Sequence, residues 1–178
     1  MKLIKCYISA FGKLKDFTYD FSDGVNTIFR DNGWGKSTLA TFIKCVFYGI
    51  SSKKRNIEEN DRIKYAPWNY NEKFGGYIVF EKEGHQIKAE RYFGKKESDD
   101  TLTLTDVKTG KIFSCPDNLG EYIFKIDEDG FTSTLFFTQN DLEIKDGTGL
   151  SSKFNTSDPT DTKAFETAVL QLEKKIKE

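Results

Sequence analysis

The densest chemistry in the 178-residue chain lies in Phe29-Arg30-Asp31-Asn32-Gly33-Trp34-Gly35-Lys36-Ser37-Thr38. Glycines at 33 and 35 allow the backbone to turn its N–H groups toward an anion, where a Cβ would obstruct it. A helix opening near Lys36 adds unpaired N–H groups and the positive end of its dipole. In this spacing Lys36 reaches the β and γ phosphates of a nucleotide, and the Ser37 hydroxyl holds Mg²⁺. Thr38 is placed for a further phosphate contact. The pattern therefore reads as a phosphate-binding P-loop, the Walker A motif. One position departs from it. In G-x-x-x-x-G-K-[ST] the first glycine falls on Arg30, a side chain free to face solvent, a partner or the nucleotide.

Such a loop works only between a strand and a helix, and both flanks have that character. Val25-Asn26-Thr27-Ile28-Phe29 reads as the strand that feeds the loop. Beyond it, Leu39, Phe42, Ile43, Val46 and Phe47 form a 3.6-residue stripe that predicts a helix from about Lys36 to Tyr48, ended by Gly49. Upstream, Lys2 to Ala10 alternates as a strand with Leu3, Ile4, Tyr7, Ile8 and Phe11 as core candidates. A turn at Phe11-Gly12-Lys13 leads into a second strand from Leu14 to Phe21.

Downstream, residues 51 to 65 are polar and without periodicity, which predicts a long surface loop. The cluster Tyr65-Ala66-Pro67-Trp68-Asn69-Tyr70 could cover a base or a partner, or plug the domain edge. From Gly75 the pattern is antiparallel: Gly76 to Lys82 paired with Gln86 to Phe93, then Thr101 to Val107 paired with Lys111 to Ser114. Asn118 caps a short helix ending near Ile126, and Asp127-Glu128-Asp129-Gly130 turns toward Phe131 to Gln139. Asp141 to Asp158 is rich in Gly, Ser, Asp and Thr. Lys163 to Lys177 is helical, with Phe165, Val169, Leu172 and Ile176 at the 4-3-4 spacing that begins a coiled-coil seam.

Composition limits what the chain can be. With 37% hydrophobic and 15% aromatic residues it can build a core, and 31% charged residues predict a water-soluble protein. A formal net charge of −1 gives no global electrostatic case for nucleic acid, although Lys53-Lys54-Arg55 is a local basic run. Three widely spaced cysteines, Cys6, Cys45 and Cys115, form neither a metal site nor a disulfide framework and read as buried thiols of a cytoplasmic protein. The single histidine, His85, follows a predicted turn and leaves a histidine-based metal or triad mechanism nothing to build on. No segment approaches membrane-spanning length.

Three stretches together carry a family resemblance: Leu3-Ile4-Lys5-Cys6-Tyr7-Ile8-Ser9-Ala10-Phe11-Gly12-Lys13, Phe21-Ser22-Asp23-Gly24-Val25-Asn26-Thr27-Ile28 and Asn32-Gly33-Trp34-Gly35-Lys36-Ser37-Thr38-Leu39. With Phe136-Phe137-Thr138-Gln139, which looks like a Q-loop, they make the chain resemble the N-terminal half of the SMC/RecN-like ABC ATPases. That family includes the nuclease-partnered ATPase of double-strand-break repair, and its head domain is split by a long coiled coil. The resemblance implies an α+β fold with a mixed sheet that carries the P-loop and its helix. An antiparallel β subdomain over about 75–115 stands beside it, and a coiled coil begins at the C-terminus. It implies a head lobe over residues 1–158 and the coiled-coil start over 159–178.

The resemblance also implies ATP and Mg²⁺ as ligands. Asn32, Gly33, Trp34, Gly35, Lys36, Ser37 and Thr38 would hold the triphosphate, and Gln139 would join Ser37 at the metal and sense the γ-phosphate. Lys13 would touch phosphate, and residues 62 to 65 would approach the adenine. The implied partners are the C-terminal lobe of the same head, a second head in an ATP-sandwiched dimer, DNA and a nuclease subunit. Repair and defence are both compatible settings. The signature motif, the Asp-Glu strand and the switch histidine of this family have no counterpart after Gln139, so ATP turnover by this chain alone is expected to be slow or nil. Two other readings use the same loop: a self-contained small P-loop kinase or nucleotide hydrolase, and a non-catalytic nucleotide-binding interaction module.

Overall fold

The computed structural model describes residues 1–50, 60–67 and 72–137. Its strands are β1 (Lys2–Phe11), β2 (Leu14–Asp20), β3 (Gly75–Lys82), β4 (His85–Tyr92), β5 (Thr101–Asp106) and β6 (Ile112–Phe113). Its helices are α1 (Lys36–Tyr48), α2 (Asp61–Lys64), α3 (Leu119–Phe124) and α4 (Glu128–Thr134). The chain divides into two units, residues 1–125 and residues 126–178, each treated by itself.

In the first unit one six-stranded sheet runs in the order β2-β1-β3-β4-β5-β6. Every strand pair in it is antiparallel, and an isolated parallel bridge joins Ala10 to Phe74. The hairpins of residues 75–115, expected as a subdomain beside the P-loop sheet, instead continue it, because β3 pairs with β1 from Lys2↔Glu81 to Ala10↔Gly75. The close fit depends on a missing side chain: a Cβ at Gly76 would lie 2.1 Å from the Tyr7 carbonyl oxygen.

Strand alternation decides which face is covered. Cys6, Ile8 and Ala10 of β1 and Ile78, Phe80 and Ala89 of β3 and β4 are all at most 2% exposed. They meet the stripe of α1, where Leu39, Phe42, Val46 and Phe47 are buried. Phe11 stands at the centre, edge-on to Phe42 at 5.3 Å and stacked on Tyr65 at 4.8 Å. Burying a phenylalanine of this kind contributes about 1.5–3 kcal/mol. The opposite face is partly polar, with Tyr7 donating to Asp16 at 3.0 Å and stacking near Tyr77. Tyr7 is therefore a residue of that outer face, not of the core.

Four expectations change. The segment from Val25 to Phe29 is not a strand: no described strand lies beside it, and Val25 and Phe29 are 91% and 89% exposed. The 51–65 segment is not wholly a surface loop, for Asn60 caps α2 by accepting from the Arg62 and Ile63 N–H groups. Phe131 onward is not an immediate extended run. In the second unit, Asp127 caps α4 by accepting from the Gly130 N–H at 2.7 Å. Two threonine hydroxyls, of Thr132 and Thr134, bond back to carbonyls one turn earlier. Finally, Cys6 and Cys45 are buried but Cys115 is exposed.

Gln139, Lys53, Lys54 and Arg55, the Trp68 to Tyr70 portion of the aromatic cluster and the coiled-coil segment lie outside the described residues.

Candidate nucleotide-phosphate site

The loop at the start of α1 is shaped by its glycines. Gly33 has φ 81° and Gly35 has φ 119°, backbone settings that a side chain would strain. Gly35 is the N-cap of α1, and no side chain caps that end. The first turn of α1 also carries no acidic residue. Its unpaired N–H groups and the positive end of its dipole therefore meet no competing protein anion from within the helix.

Lys36 bends back over the loop. Its Nζ donates to the Arg30 carbonyl at 2.7 Å and the Asp31 carbonyl at 3.1 Å. These are neutral acceptors for a charged donor, and phosphate oxygens are stronger ones. Lys13, from the β1–β2 turn, joins the same loop by donating to the Gly33 carbonyl at 3.2 Å. The structure thus brings Lys13, Gly33 and Lys36 together although 20 residues separate Lys13 from Gly33.

The remaining positions divide by exposure. Asn32, Gly33, Lys36 and Ser37 are exposed, while Trp34 and Gly35 are half-buried. Trp34 packs edge-on to Phe17 at 5.3 Å, and the Arg30 guanidinium lies 5.8 Å from its ring. Arg30 therefore sits at the lip of the loop, in a cation–π contact with the loop's own tryptophan. Thr38 is buried, with its methyl group close to Gly12 in the β1–β2 turn. Gly12 in turn donates its N–H to the Tyr65 carbonyl at 2.7 Å.

Arg62 and Tyr65 are placed differently from a base-binding pair. Tyr65 is 8% exposed against Phe11, and Arg62 is 6% exposed. The Arg62 fork binds Asp100 at 2.7 and 2.8 Å, with two more bonds to the Gly94 and Ile50 carbonyls. Asp100 raises the Arg62 pKa above its ordinary value. These two residues serve the fold. The sequence carries no local signal for this pair, because its members are 38 residues apart.

The residues present fit a nucleotide's phosphates: a left-handed glycine cradle, an uncapped helix start and two lysines converging on one loop. The glycine turn, the uncapped helix start and Lys36 are the parts of a P-loop, present here without the strand that was expected to feed it. A family model described as "AAA domain" matches residues 5–178. The chain belongs to that family of P-loop ATPases. No curated protein matches it in sequence. No described helix is long and apolar enough to cross a membrane.

Proposed function

We propose that the chain is the ATP-binding N-terminal lobe of an SMC-like ABC ATPase head. The observation that carries this reading is Lys36 lying across the Arg30 and Asp31 carbonyls at the uncapped start of α1. In that position it can trade those acceptors for the β and γ phosphates of ATP without any change in the helix. Gly33 and Gly35 present N–H groups to the same phosphates, and Lys13 adds a second positive charge. Ser37, with Gln139, would hold Mg²⁺, which when bound neutralises phosphate charge.

Hydrolysis needs a group that positions water in line with the γ-phosphate. No side chain described around the loop supplies one, which supports a division of labour with a second lobe. The exposed apolar side chains of Val25 and Phe29 support the same division, since they suit contact with another element. In the complete head, ATP held between two such units would favour their closed state, and hydrolysis would release it. Action on DNA, in repair or defence and with a nuclease subunit, rests on the resemblance of the sequence motifs.

Calorimetry with ATP and Mg²⁺, on this chain and on Lys36→Ala, tests the reading with turnover measured in parallel. Binding that the substitution abolishes, with negligible turnover in both, is the expected result. Brisk turnover by the chain alone would replace it with a self-contained nucleotide hydrolase.

A further inference from the structure

At the far end of α1 from the P-loop, two arginines stand close to the last turn, and they differ sharply. Arg62 uses both Nη groups, on Asp100 and on the Ile50 and Gly94 carbonyls. Arg91, on β4, is 9% exposed, and its guanidinium donates no hydrogen bond to any described residue. Its Nε is buried and without a partner, as is that of Arg62, so the two side chains differ at their Nη groups. Burial also pushes its pKa below the ordinary arginine value. Asp100 lies near enough to favour the Arg91 charge, but the Nη groups bond to no described residue, and donors left unused in so enclosed a side chain call for a specific explanation.

The explanation lies in the space around it. Arg91 lines a cavity of about 270 Å³ together with Gly49, Ile50, Leu102, Cys115 and Pro116. The fit against the helix end is close: a Cβ on Gly49 would come within 2.7 Å of Arg91 Nη1. At about 30 Å³ per water, the cavity holds several waters or one small organic molecule. Three carboxylates also border it. Asp100 is engaged by Arg62 and by the Gly94 N–H, while Glu97 and Asp117 are exposed. Their presence disfavours a doubly charged anion. In a lining that is more polar than apolar, Ile50, Leu102 and Pro116 give one apolar wall for a short hydrocarbon part.

We propose that this cavity is a binding site for a small aliphatic monocarboxylate, with the Arg91 guanidinium as its bidentate partner. A planar fork meeting a planar carboxylate is the strongest pairing available to the unused donors. The site is separate from the phosphate loop, about 20 Å away along α1 at 1.5 Å per residue, and does not depend on the proposed ATPase role.

The test uses the full chain labelled with ¹⁵N-arginine. The chain has arginines only at 30, 55, 62 and 91, so the Arg91 Nε–H signal is assigned by its loss in Arg91→Gln. Sodium acetate and sodium butyrate are titrated against sodium chloride at constant ionic strength, with sodium phosphate in parallel. The expected result is a saturable shift of the Arg91 signal with both carboxylates, tighter for butyrate and absent with chloride. Both carboxylates should also raise the thermal midpoint of the wild type but not of Arg91→Gln. A chloride response equal to that of acetate, or no response to either carboxylate, would overturn the site. Tighter binding of phosphate would overturn the ligand class. Should Arg91→Gln fail to fold, Arg91→Lys assigns the signal, and the wild-type titration decides the matter alone.

Discussion

The two ends of α1 handle positive charge in opposite ways. At its start, Lys36 is exposed and rests on two backbone carbonyls that any phosphate oxygen outbids. At its end, Arg62 is buried and locked to a carboxylate and two carbonyls. Both cations are bonded, so bonding alone does not separate the proposed ligand-binding residue from a structural one. The difference lies in what would be lost on exchange. Lys36 can leave its partners with the helix intact, whereas Arg62 cannot leave without stranding the Asp100 charge in a site that is only partly open to water.

The contrast can be broken most forcefully at the buried end. Arg62→Ala should destabilise the chain by about 3 kcal/mol, because it removes the bidentate partner of the largely buried Asp100. Urea unfolding measures this, and adding Asp100→Asn should restore part of the loss. Next, Lys36→Ala should weaken ATP binding by about 2 kcal/mol or more in calorimetry while leaving the unfolding midpoint unchanged. A fall in stability comparable to that of Arg62→Ala would erase the distinction.

A smaller effect should appear at Asp106, which closes the β5–β6 turn. The Thr109 N–H, with His85 and the Lys108 N–H also contributing, holds the Asp106 carboxyl below the usual aspartate value. Its contribution to stability is therefore complete above the unfolded value of about 3.9 and is lost as pH falls through the lower folded value. Urea midpoints between pH 5 and pH 2.5 should drop more steeply in the wild type than in Asp106→Asn. The smallest change is expected at Phe29→Ser. Its side chain is 89% exposed, so stability should move by no more than about 0.5 kcal/mol. Association with a complementary lobe should suffer, as a pull-down or sedimentation run would show.

How much of this was legible beforehand depended on how local the determining interactions are. α1 is legible, close to its observed bounds, because its stripe and its flanking glycines lie within one short window. The hairpins β3–β4 and β5–β6 were also legible, since turn residues sit between alternating runs. The continuity of β3 with β1 was not, because strand partnership across 64 or more residues leaves no periodic trace. Val25 to Phe29 has strand composition, but a strand exists only with a neighbour, and none of the described strands reaches it. Within the proposed phosphate site, the glycines, Lys36 and Ser37 are the members that spacing alone points to. The burial of Thr38 against Gly12 and the structural use of Arg62 and Tyr65 required the tertiary contacts.

The sheet order has a kinetic consequence. Strands β3 to β6 zip as successive neighbours, each joined to the last by a short connection. The pairing of β1 with β3 instead closes a long loop, and that loop contains both the P-loop and α1. Closing it carries the largest chain-entropy cost in the sheet, so stopped-flow refolding is expected to show hairpin formation ahead of β1–β3 pairing.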